Sequence, residues 1–280
     1  MFAPPVARAL ARRADSAPLR SLGQLVRETY GADALIPSLE SLYTSAYAYL
    51  WSAYRAEYCY KNAIARHILL GRHSLRTTTM LTEFRVGTSK ADVVLINGTT
   101  TVYEIKTALD SLDRLPGQLT DYCRVFDYVN VVTHADAIDR LAAVLPPNVG
   151  LLELTSSGRF RTHRAADSNL TRLQPGWMLD ALRRDEYVPI IADVFGRAPA
   201  LPNTHMYDAC RDLFEQLAPA RAHAAFADAL RRRARTSGVE EIIRDVVPAL
   251  SALCLSAGFD LADASAFREA LRQPLSTIIE

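Results

Sequence analysis

The chain has 280 residues and nearly balanced charge, with 32 basic and 31 acidic side chains and a formal net charge of +1. This length allows one large domain, or one domain with a sizeable appendage, and it can bury a substantial core. The balance excludes a protein that attracts nucleic acid through its overall charge, so any such site must be local. No run approaches the ~18 apolar residues that a membrane span requires.

The cysteines and the N-terminal residues indicate a cytoplasmic protein. The four cysteines, Cys59, Cys123, Cys210 and Cys254, have no CxxC pairing and no zinc-knuckle spacing, which favours free thiols in a reducing compartment. The first twenty residues contain several arginines but lack the continuous apolar segment of a secretory signal, and we interpret them as a surface helix. We therefore expect no membrane partner.

The hydrophobic pattern changes from helical to extended near residue 75. Residues 1–50 are predicted to form an N-terminal helical segment, and apolar residues recur at helical spacing from about Leu35 to Leu70, where Gly71 ends the pattern. Five short segments rich in β-branched and aromatic residues then predict strands. They are residues 80–86, 91–97, 99–106, 128–133 and 149–155.

A helix is predicted between the third and fourth strands, over residues 112–126, and Pro116 requires that it begin close to that proline. After Arg164 the pattern is helical, and the basic stretch at 159–164 is interpreted as a solvated surface. The division predicted is an N-terminal segment (1–50), an α/β core (51–165) and a helical C-terminal domain (166–280). The expected fold class is α/β, with a mixed sheet flanked by helices and a helical C-terminal region.

Three charges interrupt two otherwise apolar strands in the stretch "SKADVVLINGTTTVYEIKTALD": Asp92, Glu104 and Lys106. Glu104 and Lys106 are two residues apart and so share one face of their strand. Asn97-Gly98 predicts a hairpin between the two strands. A two-residue loop would turn Asp92 to the other face, whereas a three-residue loop, residues 96–98 with Gly98 left-handed and followed by a bulge, brings Asp92 to the Glu104 face. We predict the three-residue loop or an equivalent bulge.

Two nearby carboxylates suit a hard divalent cation, Mg²⁺ or Mn²⁺, and the carbonyl of Ile105 is a further candidate ligand. Lys106 would then orient a water molecule or a phosphate oxygen. A Lewis acid, a bound water and a cation are the groups needed to hydrolyse a phosphodiester. The alternative is a structural ion network, because the E-x-K pattern alone is very common.

The arrangement Asp92-(x)11-Glu104-Ile105-Lys106 resembles the signature of the PD-(D/E)XK nuclease superfamily, with Ala91 in place of the usual proline. The stretch "QLTDY" resembles the Q-x-x-x-Y motif of RecB-like and Cas4-like nucleases, so Gln118 and Tyr122 are expected on one helical face. The resemblance implies a restriction-endonuclease-like core and a role for this pair in positioning nucleic acid near the metal.

The upstream stretch "AEYCYKNAIARHILLGRH" resembles the first core helix of that fold. The resemblance implies that Glu57 is the additional metal-associated acid, with Glu83 on the first strand as the second choice. Lys61, Arg85 and Arg114 are the basic residues expected to meet nucleic acid. The wider pattern, from about residue 40 onward, resembles a bacterial and phage family of nuclease-like proteins.

The function expected is therefore a metal-dependent nuclease in repair, phage biology or defence, with DNA favoured over RNA. Two alternatives stay open: a non-catalytic module that binds nucleic acid or protein on a nuclease fold, and an RNA-cleaving toxin-like or defence enzyme. The C-terminal helices are the expected surface for a homodimer or a protein partner.

Overall fold

The computed structural model describes residues 1–12, 16–31, 38–234 and 238–274. It is an α/β structure in which a six-stranded mixed sheet is flanked by helices and followed by a helical C-terminal region. The predicted fold class is confirmed at this level.

The six strands lie in the sheet in the order in which they occur in the chain. The first three form an antiparallel meander, the third to fifth are parallel, and the sixth is antiparallel to the fifth. The strands are β1 (Thr79–Val86), β2 (Ser89–Ile96), β3 (Thr100–Ile105), β4 (Tyr128–Thr133), β5 (Gly150–Leu154) and β6 (Phe160–Arg164). The two parallel pairings require crossovers, which helices supply.

The hairpin between β2 and β3 has a three-residue loop, as predicted, but the loop is residues 97–99 rather than 96–98. Ile96 pairs with Thr100 and Val93 pairs with Tyr103. Gly98 has φ of +93°, a conformation that glycine adopts without the steric cost of a Cβ atom. Moving both ends of the loop by one residue changes each cross-strand partner by two residues, which leaves every side chain on the same face. Asp92 and Glu104 therefore share a face of the sheet, as predicted.

The helices surround and extend this sheet. The helix predicted continuously to Leu70 is interrupted at residues 54–56 and contains a π-helical turn over Ile64–Leu69, and residues 35–37 of that prediction lie outside the described residues. The helices are α1 (Pro4–Arg12), α2 (Ala17–Tyr30), α3 (Leu39–Ala53), α4 (Glu57–Ala63), α5 (Leu70–Arg72), α6 (Leu115–Cys123), α7 (Ile138–Val144), α8 (Pro175–Asp180), α9 (Arg184–Phe195), α10 (Asn203–Glu215), α11 (Pro219–Ala234), α12 (Val239–Ile242), α13 (Ser251–Ala257) and α14 (Leu261–Arg272).

The basic stretch at residues 159–164 contains an edge strand that the sequence pattern did not reveal. β6 is exposed along most of its length, and it continues the sheet beyond β5. Its pattern carries polar residues on both faces, so the alternation that normally marks a strand is absent. Charged residues on an edge strand disfavour pairing with another chain.

The chain divides into two compact units that do not follow the predicted division at residues 50 and 165. The helical unit comprises residues 1–75 and 235–280, and the sheet unit comprises residues 76–234. Each unit has its own apolar core. α1 packs against α13 and α14, so residues from both ends of the chain share the helical unit. Within the described ranges, every helix is too short or too polar to cross a lipid bilayer.

Candidate functional site

The site lies at the carboxyl end of β3, beside α6. Neighbouring β4 holds the end of β3 in place: the Lys106 backbone N–H donates to the Val132 carbonyl at 2.9 Å, and the Thr133 hydroxyl donates to the Lys106 carbonyl at 2.7 Å. Pro116 lies at the second position of α6, where a proline removes no helical hydrogen bond. The strand end and the helix together fix the backbone positions of the side chains described next.

Glu104 and Lys106 form a buried ion pair that two residues of α6 complete. The Lys106 ammonium donates to Oε1 of Glu104 at 2.9 Å and to Oε1 of Gln118 at 3.0 Å. The Tyr122 hydroxyl donates to Oε2 of Glu104 at 2.9 Å. Glu104 is only 2% exposed and Lys106 only 5%. The predicted strand residues and the predicted helical pair therefore meet in one network.

Burial perturbs the titration of this network. The pKa of Glu104 is raised by desolvation, although Lys106, Tyr122 and Gln118 all act to lower it. The pKa of Tyr122 is raised by desolvation first and then by the negative charges of Glu104 and Asp92, which disfavour a phenolate. Groups with perturbed pKa values gather at functional sites more often than elsewhere, although structural ion networks show them too.

Asp92 lies on β2 at the point where its pairing with β3 ends. Continuing the register beyond Val93 and Tyr103 places Asp92 opposite Glu104. Oδ2 of Asp92 accepts the backbone N–H of Ile105 at 2.7 Å. Residues opposite each other in an antiparallel pair project to the same face of the sheet, so the side chains of Asp92 and Glu104 share a face.

Glu83 lies on β1, which pairs with the edge of β2 that faces away from β3, and it is opposite Asp92 in that pairing. Thr82 pairs with Val93 and Phe84 with Ala91, so the same register aligns Glu83 with Asp92, and the carboxylate oxygens of the two acids come within 4.8 Å of each other. Glu83 has φ of +56°, the one non-glycine residue with positive φ in the described part of the chain. For a residue with a Cβ atom this conformation costs about 1–2 kcal/mol. Strain of this kind is often retained at functional sites.

The donor set fits an oxygen-preferring divalent cation. Glu83 and Asp92 offer carboxylate oxygens close together, which suits Mg²⁺ or Mn²⁺ better than a metal that favours sulfur or imidazole ligands. The N–H of Ile105 points towards β2, and its carbonyl therefore points the same way, as expected of a further ligand. Both Glu104 oxygens already accept a hydrogen bond, so Glu104 would contribute through a remaining lone pair.

The remaining predicted residues belong to both units of the chain. Glu57 is the first residue of α4 in the helical unit and forms an ion pair with Lys61, one turn further along the same helix. Arg85 on β1 and Arg114, which precedes α6, are exposed residues of the sheet unit. These two arginines are accessible to a polyanion, but the structure does not build them into the network around Glu104.

Two features of the site were not anticipated. Tyr122 is fully buried, so its hydroxyl orients Glu104, whereas the sequence prediction had it facing a nucleic-acid strand. Lys90 on β2 forms an ion pair with Glu83. This pair neutralises part of the negative charge of the acidic row, which consists of Glu83, Asp92 and Glu104 on neighbouring strands. The sequence could have indicated this cation, because Lys90 precedes Asp92 by two residues and therefore shares its face of β2.

Fold and site define an α/β protein that carries a buried carboxylate–lysine pair beside two further acids. The chain belongs to the family described as Bacteriophage P4 protein cII, whose model matches residues 51–242, well over half of the 280 residues. Among curated proteins, none matches the chain. A solved structure of a protein of unknown function from Silicibacter pomeroyi is similar at 16% identity and a TM-score of 0.31, covering 66% of this chain and 88% of that one. That likeness is too distant to support an argument.

Proposed function

We propose that the protein is a divalent-metal-dependent nuclease of the PD-(D/E)XK type that hydrolyses phosphodiester bonds, in DNA rather than RNA. One observation carries the proposal: Glu104 and Lys106 form a buried ion pair in line with Asp92 and beside Gln118 and Tyr122. A buried pair rarely adds stability over well-packed apolar residues, so stability alone is a weak reason for a chain to keep one.

Each residue of the site has an expected role in metal binding, in orienting the water molecule or in positioning another side chain. Asp92 and Glu104, with the carbonyl of Ile105, would hold Mg²⁺ or Mn²⁺, and Glu83 is the adjacent acid in the same row. The bound ion would supply Lewis acidity and a lower pKa for a coordinated water. Lys106 would orient that water or a phosphate oxygen, and Gln118 holds the Lys106 ammonium in position. Tyr122 fixes the Glu104 carboxylate.

Substrate contact would fall to exposed cations. Arg85 and Arg114 lie on the surface of the sheet unit and are the candidates for binding phosphate there. Lys61 in the helical unit remains a candidate for contact with nucleic acid, and Glu57 remains the candidate for the additional metal-associated acid, as the resemblance to nuclease helices implies. Because the overall charge is nearly zero, we expect binding to depend on these local cations and to weaken as salt is raised.

An activity assay tests the proposal. Purified full-length protein would be incubated with linear, nicked and branched DNA, and with RNA, in Mg²⁺ or Mn²⁺ or with chelator. We expect metal-dependent cutting of DNA that falls at least about 100-fold in Lys106→Ala, since a lost transition-state donor typically costs 10²–10³ in rate. Asp92→Asn provides a second test at a half-buried position, and Arg197→Ala, an exposed arginine after α9, is the matched control.

Folding of each variant would be checked by circular dichroism before its activity is compared. Equal cutting by the parent protein and a folded Lys106→Ala or Asp92→Asn variant would contradict the proposal. So would the absence of cutting on every nucleic acid. Preferential cutting of RNA would leave the site assignment standing and overturn the substrate.

One observation favours a non-catalytic binding module as the second candidate. Both oxygens of Glu104 are satisfied by side chains of the protein itself, so the network is complete as a purely structural element. This alternative predicts that nucleic-acid or protein binding survives Asp92→Asn and requires no metal. Nucleic-acid binding measured in chelator, with and without that substitution, separates the two candidates.

A further inference from the structure

A cavity of about 680 Å³ opens in the sheet unit beside α6 and α7. None of its lining residues belongs to the network around Glu104, although α6 contributes to both. Gln118 and Tyr122 contact that network, while Leu115, Leu119 and Cys123 of the same helix line the cavity. The volume lies within the range of small-molecule sites, about 300–1,000 Å³.

The buried part of the lining is aliphatic. Leu115, Leu119 and Leu145 are buried and form the floor, whereas Val144 is 64% exposed and belongs to the rim. The apolar residues of the lining are leucine, proline, valine and cysteine, all without an aromatic ring. Nucleobases are usually held by stacking on aromatic side chains, so this lining suits an aliphatic chain better than a base.

The rim has a net positive charge. Arg140 and Arg172 line the cavity with one acid, Asp113, and all three are exposed. The Arg172 guanidinium donates to Oδ1 of Asn169 at 3.0 Å and to the Ser168 carbonyl at 3.4 Å, so it is held in place before any ligand arrives. A guanidinium binds carboxylate and phosphate oxygens through a planar set of donors.

The polar residues deeper in the cavity are uncharged and hydrogen-bonded to one another. Asn148 donates to Oδ1 of the buried Asn169 at 3.0 Å and to the Cys123 sulfur at 3.5 Å. Burial raises the pKa of the Cys123 thiol, which therefore stays neutral near pH 7. Negative charge in a ligand would consequently be favoured at the arginine rim, with the apolar portion on the leucine floor.

We propose that this cavity binds an aliphatic chain ending in one anionic head group, a carboxylate or a phosphate. The chain packs on Leu115, Leu119 and Leu145, and the head group pairs with Arg140 and Arg172. No residue of the proposed nuclease site lines this cavity, so ligand binding here and nuclease activity can be tested independently.

Calorimetric titration of the full-length protein tests the assignment. The probes are octanoate, decanoate, decyl phosphate and decyltrimethylammonium, all kept below their micelle concentrations. We expect both ten-carbon anions to bind, and decanoate to bind roughly tenfold more tightly than octanoate because two further methylenes are buried. The cation has the same chain with the opposite charge, and we expect it to bind at least about tenfold more weakly. Comparing decanoate with decyl phosphate identifies the preferred head group.

Two exposed rim positions give variants that should fold normally. Arg140→Gln removes one head-group cation and Val144→Asp adds a carboxylate to the rim, and each should weaken decanoate binding about tenfold. Arg197→Gln, an exposed arginine away from the lining, should leave binding unchanged. Failure of both anions to bind would overturn the proposal. So would equal binding of anion and cation, or undiminished binding by the two rim variants, because either result describes non-specific surfactant contact.

Discussion

At the scale of single residues, burying the Glu104 carboxylate costs free energy that Lys106, Tyr122 and Gln118 partly offset. The offset depends on all of them being present, because a buried charge that loses its partner keeps its desolvation penalty. Glu104 and Lys106 should therefore behave as a unit when either is changed.

We predict that Lys106→Met lowers the free energy of unfolding at pH 7 by about 3 kcal/mol, because Glu104 is left buried without its cation. The double variant Glu104→Leu/Lys106→Met should regain at least half of that loss, since no buried charge remains. Urea unfolding of the parent, Glu104→Leu, Lys106→Met and the double variant gives the coupling energy between the two side chains. Additive losses would show that the two side chains do not interact as the structure indicates.

Glu83 is a second residue whose local conformation has a measurable cost. Its positive φ should cost about 1–2 kcal/mol relative to glycine, and its exposed ion pair with Lys90 is worth at most about 1 kcal/mol. We predict that Glu83→Gly leaves stability unchanged or raises it by up to about 1 kcal/mol and weakens Mn²⁺ binding. Glu83→Ala, which removes the carboxylate but keeps the strain, is the control and should be less stable than Glu83→Gly. Equal unfolding free energies for Glu83→Gly and Glu83→Ala would show that the positive φ of Glu83 carries no strain.

At the scale of elements, α11 is joined to the first residue of β3 by a buried polar contact. His223 on α11 and the Thr100 hydroxyl lie 2.9 Å apart, and the Thr100 hydroxyl also accepts the backbone N–H of Asp127. Burial lowers the pKa of His223 below its usual 6.5, although the negative charge of Asp127 opposes this shift. Asp127 in turn accepts hydrogen bonds from Thr99 and Ser168.

This contact predicts a pH dependence of stability with a definite sign. The unfolded chain protonates His223 more readily than the folded chain does, so the contribution is complete above about pH 6.5 and is lost as the pH falls. His223→Gln can keep a hydrogen bond but cannot take up the proton. We expect this variant to lose less stability than the parent between pH 7 and pH 5, by about 1.4 kcal/mol for each unit of the pKa difference.

Unfolding free energies measured at several pH values check this prediction. His205→Gln, an exposed histidine on α10, is the matched control and should follow the parent. Parallel curves for the parent and His223→Gln would mean that His223 titrates alike in the folded and unfolded chains.

Local patterns predicted some elements well and others poorly. Strands β1–β5 and the three-residue hairpin loop followed from β-branched alternation and from Asn97-Gly98, because both signals lie within a few residues. β6 was missed because its side chains are polar on both faces of an edge strand. The interruption of the long helix at residues 54–56 also had no local signal, since neither glycine nor proline lies there.

In the candidate site, too, local sequence patterns predict some features and not others. Alternation and loop parity could predict that Asp92 and Glu104 approach each other, and helical spacing could predict that Gln118 and Tyr122 share a face. The burial of Tyr122 and the positive φ of Glu83 arise from how α6 packs on the sheet and from how β1 meets β2. Packing between elements of this kind cannot be predicted from the spacing of residues along the chain.

At the scale of the whole molecule, the two units have separate cores and different chain connectivity. The core of the sheet unit lies within one continuous segment, and nearly half of its buried apolar residues come from α8–α11 and the loops around them. The core of the helical unit combines residues from both ends of the chain. A boundary at residue 165 would therefore remove much of the core that covers the sheet.

We predict that a fragment of residues 76–234 folds alone with a cooperative unfolding transition, because it contains a complete core. A fragment of residues 51–165 should expose apolar surface and unfold without cooperativity. Near-ultraviolet circular dichroism and urea titration distinguish these outcomes. A cooperative 51–165 fragment would show that α8–α11 are dispensable to the sheet.

The most direct test of the proposed nuclease centre is a calorimetric titration of the full-length protein with Mn²⁺. The arrangement of Glu83, Asp92 and Glu104 predicts saturable binding that Asp92→Asn weakens at least tenfold. Asp136→Asn, which changes an exposed carboxylate after β4, should leave binding unchanged. Absence of Mn²⁺ binding, or equal binding by the parent and Asp92→Asn, would contradict the account.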